Sequence, residues 1–207
     1  MKTNPEERLR ALTEAYDVPL WGTGVLFAGI DEAGRGPLCG NVVAGCVALP
    51  PEPLILGVDD SKKLSAKRRE ELYDRIRETA LFWGVGEATP EEIDEMNILE
   101  ATKLAMRRAA EKVPAEVFLI DAVKQVGLKG AERPIIHGDA VSYAIAAASI
   151  LAKVTRDRFM RRLAEEYPQY GFEDHKGYGT KAHYEAIRKY GVTPYHRLTF
   201  LKDLGGK

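Results

Sequence analysis

The sequence predicts an α/β protein, a mixed five-stranded sheet flanked by helices with a small helical appendage at the C-terminal end. Three observations carry this. Two apolar runs, Val25 to Asp31 and Val42 to Leu49, follow each other across a short turn, as the strands of a hairpin do. Strand-like and helix-like stretches then alternate as far as residue 167, which places helices against a sheet. Residues 168–207 are too few to form an independent core. The expected division is therefore a main domain over 1–167, with 1–24 as an N-terminal helical extension, and an appendage over 168–207.

Residues 5–16 read as a surface helix with Leu9 and Leu12 turned inward. The first strand ends at the adjacent acids Asp31 and Glu32, and Gly34-Arg35-Gly36 follows, a turn that glycine permits. The second strand is closed by Pro50, Pro51 and Pro53. After the polar loop Asp59-Asp-Ser-Lys-Lys-Leu64, Ser65 caps a helix over 66–79 that buries Leu72, Tyr73 and Ile76. Leu81 to Ala88 is the third strand, and Thr89-Pro-Glu-Glu92 is a capping box with proline at the first helical position. The helix it opens runs towards Lys112, with a break near Asn97. Strands four and five, Glu116 to Asp121 and Pro134 to Asp139, each end in an acid. The longest helix, 141–167, begins with small residues that allow close packing on the sheet, and Pro168 closes it. A last helix over 181–190 stops at Gly191.

The bulk figures are those of an ordinary globular chain: 207 residues, 45% hydrophobic, 29% charged, formal net charge −1. No apolar run is long enough to cross a bilayer, and the N-terminus leads into a charged amphipathic segment, so a cytoplasmic location is expected. Cys39 and Cys46, placed in one strand, would lie roughly 23 Å apart at about 3.3 Å per residue, too far for a disulfide.

Asp31, Glu32, Asp121 and Asp139 all fall where an apolar strand runs out, the edge of an α/β sheet where sites collect. Singly, each is better explained as a turn or cap residue. Jointly they make a strongly negative pocket, which a divalent cation resolves, and all-oxygen ligation favours Mg²⁺ or Mn²⁺ over zinc. Lys62 and Lys63 are the better phosphate candidates among the basic residues because they lie in a loop. His175-Lys-Gly-Tyr-Gly-Thr180 has a composition suited to sugar or base stacking, although from composition alone an ordinary turn is the favoured reading.

These segments resemble the ribonuclease HII (type 2 ribonuclease H) family. The resemblance rests on Gly29-Ile-Asp-Glu-Ala-Gly-Arg-Gly-Pro-Leu38, Asp60-Ser-Lys-Lys-Leu64, Asn97-Ile-Leu-Glu-Ala-Thr102 and Gly138-Asp139. It continues through Ala146-Ala-Ala-Ser-Ile-Leu-Ala-Lys-Val-Thr-Arg-Asp157, Tyr167-Pro-Gln-Tyr-Gly171, the segment 175–180 and His196-Arg197. Asn41, Ala122, His137 and Val141 depart from the family pattern.

The resemblance implies a ribonuclease H-like fold and a four-carboxylate site at Asp31, Glu32, Asp121 and Asp139. It implies an endoribonuclease that cleaves the RNA strand of RNA–DNA hybrids and incises duplex DNA 5′ to embedded ribonucleotides, as in ribonucleotide excision repair. Two Mg²⁺ or Mn²⁺ ions would be used, with Asp31 bridging them, and the products would carry 5′-phosphate and 3′-hydroxyl ends. Gly34, Arg35 and Gly36 would meet the backbone around the scissile phosphate and read a ribose 2′-hydroxyl. Tyr178 would stack beside the ribonucleotide–deoxyribonucleotide junction, and Lys62, Lys63 and Asn97 would lie near phosphates. A monomer is expected. A sliding-clamp partner stays open, with the tail 199–207 as a vague candidate. The rival readings are a non-catalytic nucleic-acid-binding module, which gives four clustered acids no purpose, and a different two-metal nuclease.

Overall fold

The computed structural model describes residues 4–201. Five strands, β1 (Phe27–Ala33), β2 (Val42–Ala48), β3 (Phe82–Ala88), β4 (Val117–Asp121) and β5 (Ala131–Ile135), form one sheet in the order β3-β2-β1-β4-β5. The β1–β2 and β2–β3 pairs are antiparallel, whereas β4 runs parallel to β1 and β5 parallel to β4. The sheet is therefore mixed, as the sequence predicts.

Helices cover both faces. On one lie α4 (Pro90–Met96) and α5 (Ile98–Ala110), packing Ile93, Ala101, Ala105, Met106 and Ala109 on Ala28, Ile30, Ala44, Cys46 and Ile120. The other face carries α1 (Pro5–Glu14), α2 (Asp17–Thr23), α3 (Ala66–Thr79) and the long α6 (Tyr143–Glu166). The alanines at the start of α6 meet glycines in the strands. A Cβ at Gly29 would come within 2.1 Å of the Ala144 carbonyl carbon, and one at Gly45 within 2.4 Å of the Ala148 oxygen. Backbone thus lies against backbone, which holds the N-terminal end of α6 close to the ends of β1 and β4.

The C-terminal segment comprises a short α7 (Phe172–His175) and α8 (Lys181–Tyr190). Leu38 and Cys39, Met160 and Leu163 of α6, and Tyr170, Phe172, Ala186 and Ile187 form one apolar cluster with it. Residues 202–207 of the tail considered for partner binding lie outside the described residues.

Several boundaries differ from expectation. The N-terminal helix is two helices, because the chain turns at Ala15–Tyr16 and restarts at Asp17. The fifth strand lies earlier, at Ala131–Ile135, so Asp139 does not end a strand; it sits in a 3₁₀ turn over Gly138–Ala140, just before α6. Cys39 is not in β2 but pairs as an isolated bridge with His196, and both cysteines are free and buried. The break at Asn97 is present: the residue has φ 74°, and its Oδ1 accepts from the Leu99 and Glu100 amides to cap α5.

Candidate active site

Side chains alternate along β1, so Phe27 and Gly29 face α6, with Asp31 next on that side, while Ala28 and Ile30 face α5. In β4 the same alternation puts Asp121 with Val117 and Leu119 on the α6 side. The 3₁₀ turn then delivers Asp139 from above. Asp31, Asp121 and Asp139 each present a carboxylate oxygen such that all three lie within 4.8 Å of one another. β1 does not stop at Asp31 but continues to Ala33, still paired with β2, so Glu32 leaves the strand on the other side from Asp31, although its carboxylate is close enough to feel Asp121 and Lys62. It is near this trio without joining it.

The electrostatics are those of crowded acids. Burial pushes the Asp31 carboxyl well above the ordinary carboxylate range, and the charges of Glu32, Asp121 and Asp139 push it the same way. Its one protein hydrogen bond comes from the Glu32 amide, at 2.7 Å. Asp121 is raised by burial, opposed by the Gly138 amide that donates to its Oδ1 at 2.7 Å, and raised further by Asp139. Burial also raises Glu32; Arg35, 3.4 Å from its Oε1, works against this, and Asp121 adds to it. The other Glu32 oxygen, Oε2, is buried with no partner among the described residues.

The donor set fits a hard divalent cation. It is made of carboxylate oxygens only, buried together and mutually repelling, with one orphaned oxygen at its edge. Lys62 is the protein's own cation here: its Nζ lies 3.1 Å from Asp139 Oδ2. Burial alone would lower Lys62, but the bond to Asp139 prevails and raises it.

The other expected residues divide. Gly34 has φ 98°, and its missing Cβ leaves room for the Arg156 side chain. Gly36 faces Tyr178: a Cβ there would lie 3.6 Å from the Tyr178 ring. The turn and the exposed tyrosine therefore border one surface. Lys63 points away from the cluster to Asp59, at 3.6 Å, and Asp59 also binds Arg8 of α1 at 2.7 Å. Asn97 has committed its oxygen to α5, which leaves only its NH₂ free. Of the departures from the family pattern, Asn41 donates to Glu87 at 2.6 Å, and Ala122 and His137 hold positive φ angles of 50° and 55°.

The sequence reading gave no individual role to Arg156 and Arg197, although both fall within its family motifs. They lie almost wholly buried beneath the Gly34–Arg35–Gly36 turn. An arginine inside a small-residue helix, and another beside an isolated histidine, were the only signals.

The family model described as Ribonuclease HII matches residues 28–203. The chain belongs to the ribonuclease HII family. Ribonuclease HII of Clostridioides difficile is 52% identical over 206 residues, covering 96% of this chain and 79% of that protein. Its counterpart in Polynucleobacter asymbioticus is 56% identical over 178 residues, covering 83% and 91%. Among solved structures, the PCNA:RNase HII complex from Archaeoglobus fulgidus superposes with a TM-score of 0.72 at 30% identity, covering 88% of this chain and 98% of that one. The ribonuclease H2 from Pyrococcus horikoshii superposes at 0.69 with 32% identity, covering 84% and 92%. The fold is thus ribonuclease H-like, and the chain is a metal-dependent ribonuclease H by family. Family membership implies endoribonuclease activity on RNA–DNA hybrids. Among the described residues no helix is long and apolar enough to cross a membrane.

Proposed function

We propose that this protein cleaves the RNA strand of RNA–DNA hybrids and incises duplex DNA on the 5′ side of embedded ribonucleotides, leaving 5′-phosphate and 3′-hydroxyl ends. The observation that carries the reading is the trio Asp31, Asp121 and Asp139, with ligand atoms within 4.8 Å of one another, beside the turn that faces Tyr178. Asp31, Asp121 and Asp139 would hold the cations, and Glu32, outside the trio but with its Oε2 unpartnered among the described residues, would be the fourth ligand that the family resemblance implies. Two Mg²⁺ or Mn²⁺ ions, when bound, supply an activated water and neutralise charge on the leaving 3′-oxygen.

The chain's own residues do the rest. Asp31, on the central strand β1, would be the ligand shared by both cations. Gly34 and Gly36 let the backbone of the turn approach the sugar, where the 2′-hydroxyl separates RNA from DNA without reading a base. Tyr178 offers a flat apolar face to the neighbouring nucleotide. Lys62, paired with Asp139 at 3.1 Å, would be available to a phosphate once a cation neutralised that carboxylate. Lys63 and Asn97 contribute at most through the outlying backbone, and residues 168–201 take part as the support of Tyr178.

The test is a set of end-labelled duplexes: one with a single ribonucleotide, one all DNA, and one an RNA–DNA hybrid, each with Mg²⁺ and with Mn²⁺. The expected outcome is one incision 5′ to the ribonucleotide, with cleavage of the hybrid and no cutting of all-DNA duplex. Equal cutting of all three would point to a different two-metal nuclease, and Asp31→Asn cleaving as well as the unaltered protein would move the active site elsewhere.

A further inference from the structure

The Gly34–Arg35–Gly36 turn rests on two buried guanidinium groups, and among the described residues neither has a carboxylate within ion-pair distance. Arg197 is 0% exposed and Arg156 1%. Arg197 spends all five of its donors on main-chain carbonyls. Its Nε donates to Gly40 at 2.9 Å, Nη1 to Arg35 at 3.0 Å and Pro37 at 2.8 Å, and Nη2 to Gly34 at 2.6 Å and Gly40 at 2.7 Å. Arg156, reaching up from α6, donates through Nε to Asn41 at 3.2 Å and through Nη2 to Cys39 and Lys176, both at 3.1 Å.

A buried charge needs hydrogen bonds, and carbonyl dipoles supply five to Arg197 and three to Arg156. Burial, with Arg156 near by, pushes Arg197 down to about 9, which still leaves it charged at neutral pH. The consequence for the loop is directional. The carbonyls of Gly34, Arg35, Pro37, Cys39, Gly40 and Asn41 are all drawn onto the two arginines. The amides of Arg35 and Gly36, on the exposed side, find no acceptor among the described residues. Unpartnered amides with a positive charge behind them are complementary to an oxyanion. The same clamp secures the Tyr178 segment, through the Arg156 bond to Lys176 and the Leu38 amide donating to Gly177 at 2.8 Å.

We propose that Arg197, supported by Arg156, is the positioning residue for this turn. It fixes the carbonyls inward so that the Arg35 and Gly36 amides are preset for one phosphate oxygen of the nucleic-acid strand. The proposal rests on the reading above, in which this turn meets the substrate backbone. Neither arginine touches substrate or cations.

Arg197→Lys tests it in the full chain, because lysine keeps the charge but offers three donors from a point in place of five in a plane. On the single-ribonucleotide duplex, KM should rise about tenfold or more, the scale of losing hydrogen bonds made by a charged group. kcat should change by less than about threefold, and Mg²⁺ affinity measured by calorimetry should not move, since the acidic cluster is untouched. A merely structural role would instead lower the active fraction, so that apparent kcat falls at constant KM; that result, or unaltered kinetics, overturns the proposal. If Arg197→Lys does not melt cooperatively, Arg156→Lys carries the same expectation. Failure of both to fold would show that the arginines serve the fold and not the turn, and would also overturn it. Absence of incision by the unaltered protein sinks the functional reading and this proposal with it, whereas normal incision with unaltered variant kinetics sinks only this proposal.

Discussion

Tyr178 is 47% exposed, in a segment where its aromatic neighbours Tyr170, Phe172, His183 and His196 are buried. Its backbone is held firmly: the amide donates to His175 at 2.9 Å, and the carbonyl meets His183 Nδ1 at 2.9 Å. A rigidly mounted ring that stabilises little itself is a good platform for a base or sugar. Tyr178→Ala should lower kcat/KM on the single-ribonucleotide duplex about tenfold, within the range for one lost base–aromatic stack of about 1–3 kcal/mol. Tyr178→Phe should keep most of the activity, and both variants should melt within about 0.5 kcal/mol of the unaltered protein. A loss of activity in Phe equal to that in Ala would assign the role to the hydroxyl instead. At this scale the sequence was informative wherever a residue type had no bland explanation in its place. Asp31 and Glu32 came closest, as adjacent acids ending an apolar run and joined by acids in later segments, whereas the aromatic between two glycines drew its role from the family resemblance alone. Lys63 was not distinguishable from Lys62 by type, because which of the two turns to Asp59 and which to the distant Asp139 is decided only by the fold.

Helix α6 is the element on which the site depends most, since it follows Asp139 directly and carries Arg156. Its N-terminal amides are satisfied from outside: Asp17 of α2 accepts from Tyr143 at 3.0 Å and from Ala144 at 2.9 Å. Burial pushes the Asp17 carboxyl up to about 6, against the bonds from these amides. Asp17→Ala should destabilise the protein by about 2 kcal/mol, because two buried helical N–H groups lose their acceptor. In a chain of this size that is a drop of about 4–8 °C in melting temperature. Retention of the original melting temperature would mean that water replaces the carboxylate without loss. α2 itself escaped the sequence reading, since a seven-residue helix containing Pro19 and Gly22 has no clear period and its key carboxylate serves another helix. β5 was misplaced for a related reason. It is an edge strand, mostly exposed, and reads Ala-Glu-Arg-Pro-Ile, so no apolar run marks it. The central strands β1, β2 and β4 were legible because burial on both faces demands continuous apolar sequence.

For the whole molecule, two sets of acids, beside the buried Asp17, have opposite effects on stability. Glu70, Glu92, Glu132 and Asp59 are held low; burial works against this, but arginine partners or main-chain amides outweigh it, except at Glu92, where the Arg108 bond is the largest influence. Their stabilisation is lost as pH falls through their native values. Asp31, Glu32 and Asp121 are held high, so the native state binds protons that the unfolded chain has released. By linkage their contribution is fully present below the unfolded carboxylate range of about 4 and is lost as pH rises through the raised native values. The two groups oppose each other in a simple pH–stability curve, so the site must be isolated by difference. Without divalent cations, Asp31→Asn should melt above the unaltered protein at neutral pH by about 2–4 °C, the shift that about 1 kcal/mol produces in a chain of this size. The gap should close as the pH is lowered and Asp31 takes up its proton. Saturating Mg²⁺ should reverse the order at neutral pH, because a cation bound only by the native, ionised cluster stabilises the unaltered protein and has lost a ligand in the variant. Differential scanning calorimetry of both proteins, with chelator and with Mg²⁺, reads all three effects. Coincident melting under every condition would mean that Asp31 bears no electrostatic strain in the absence of metal, and the account of Asp31, Asp121 and Asp139 as a cation site would lose its physical basis.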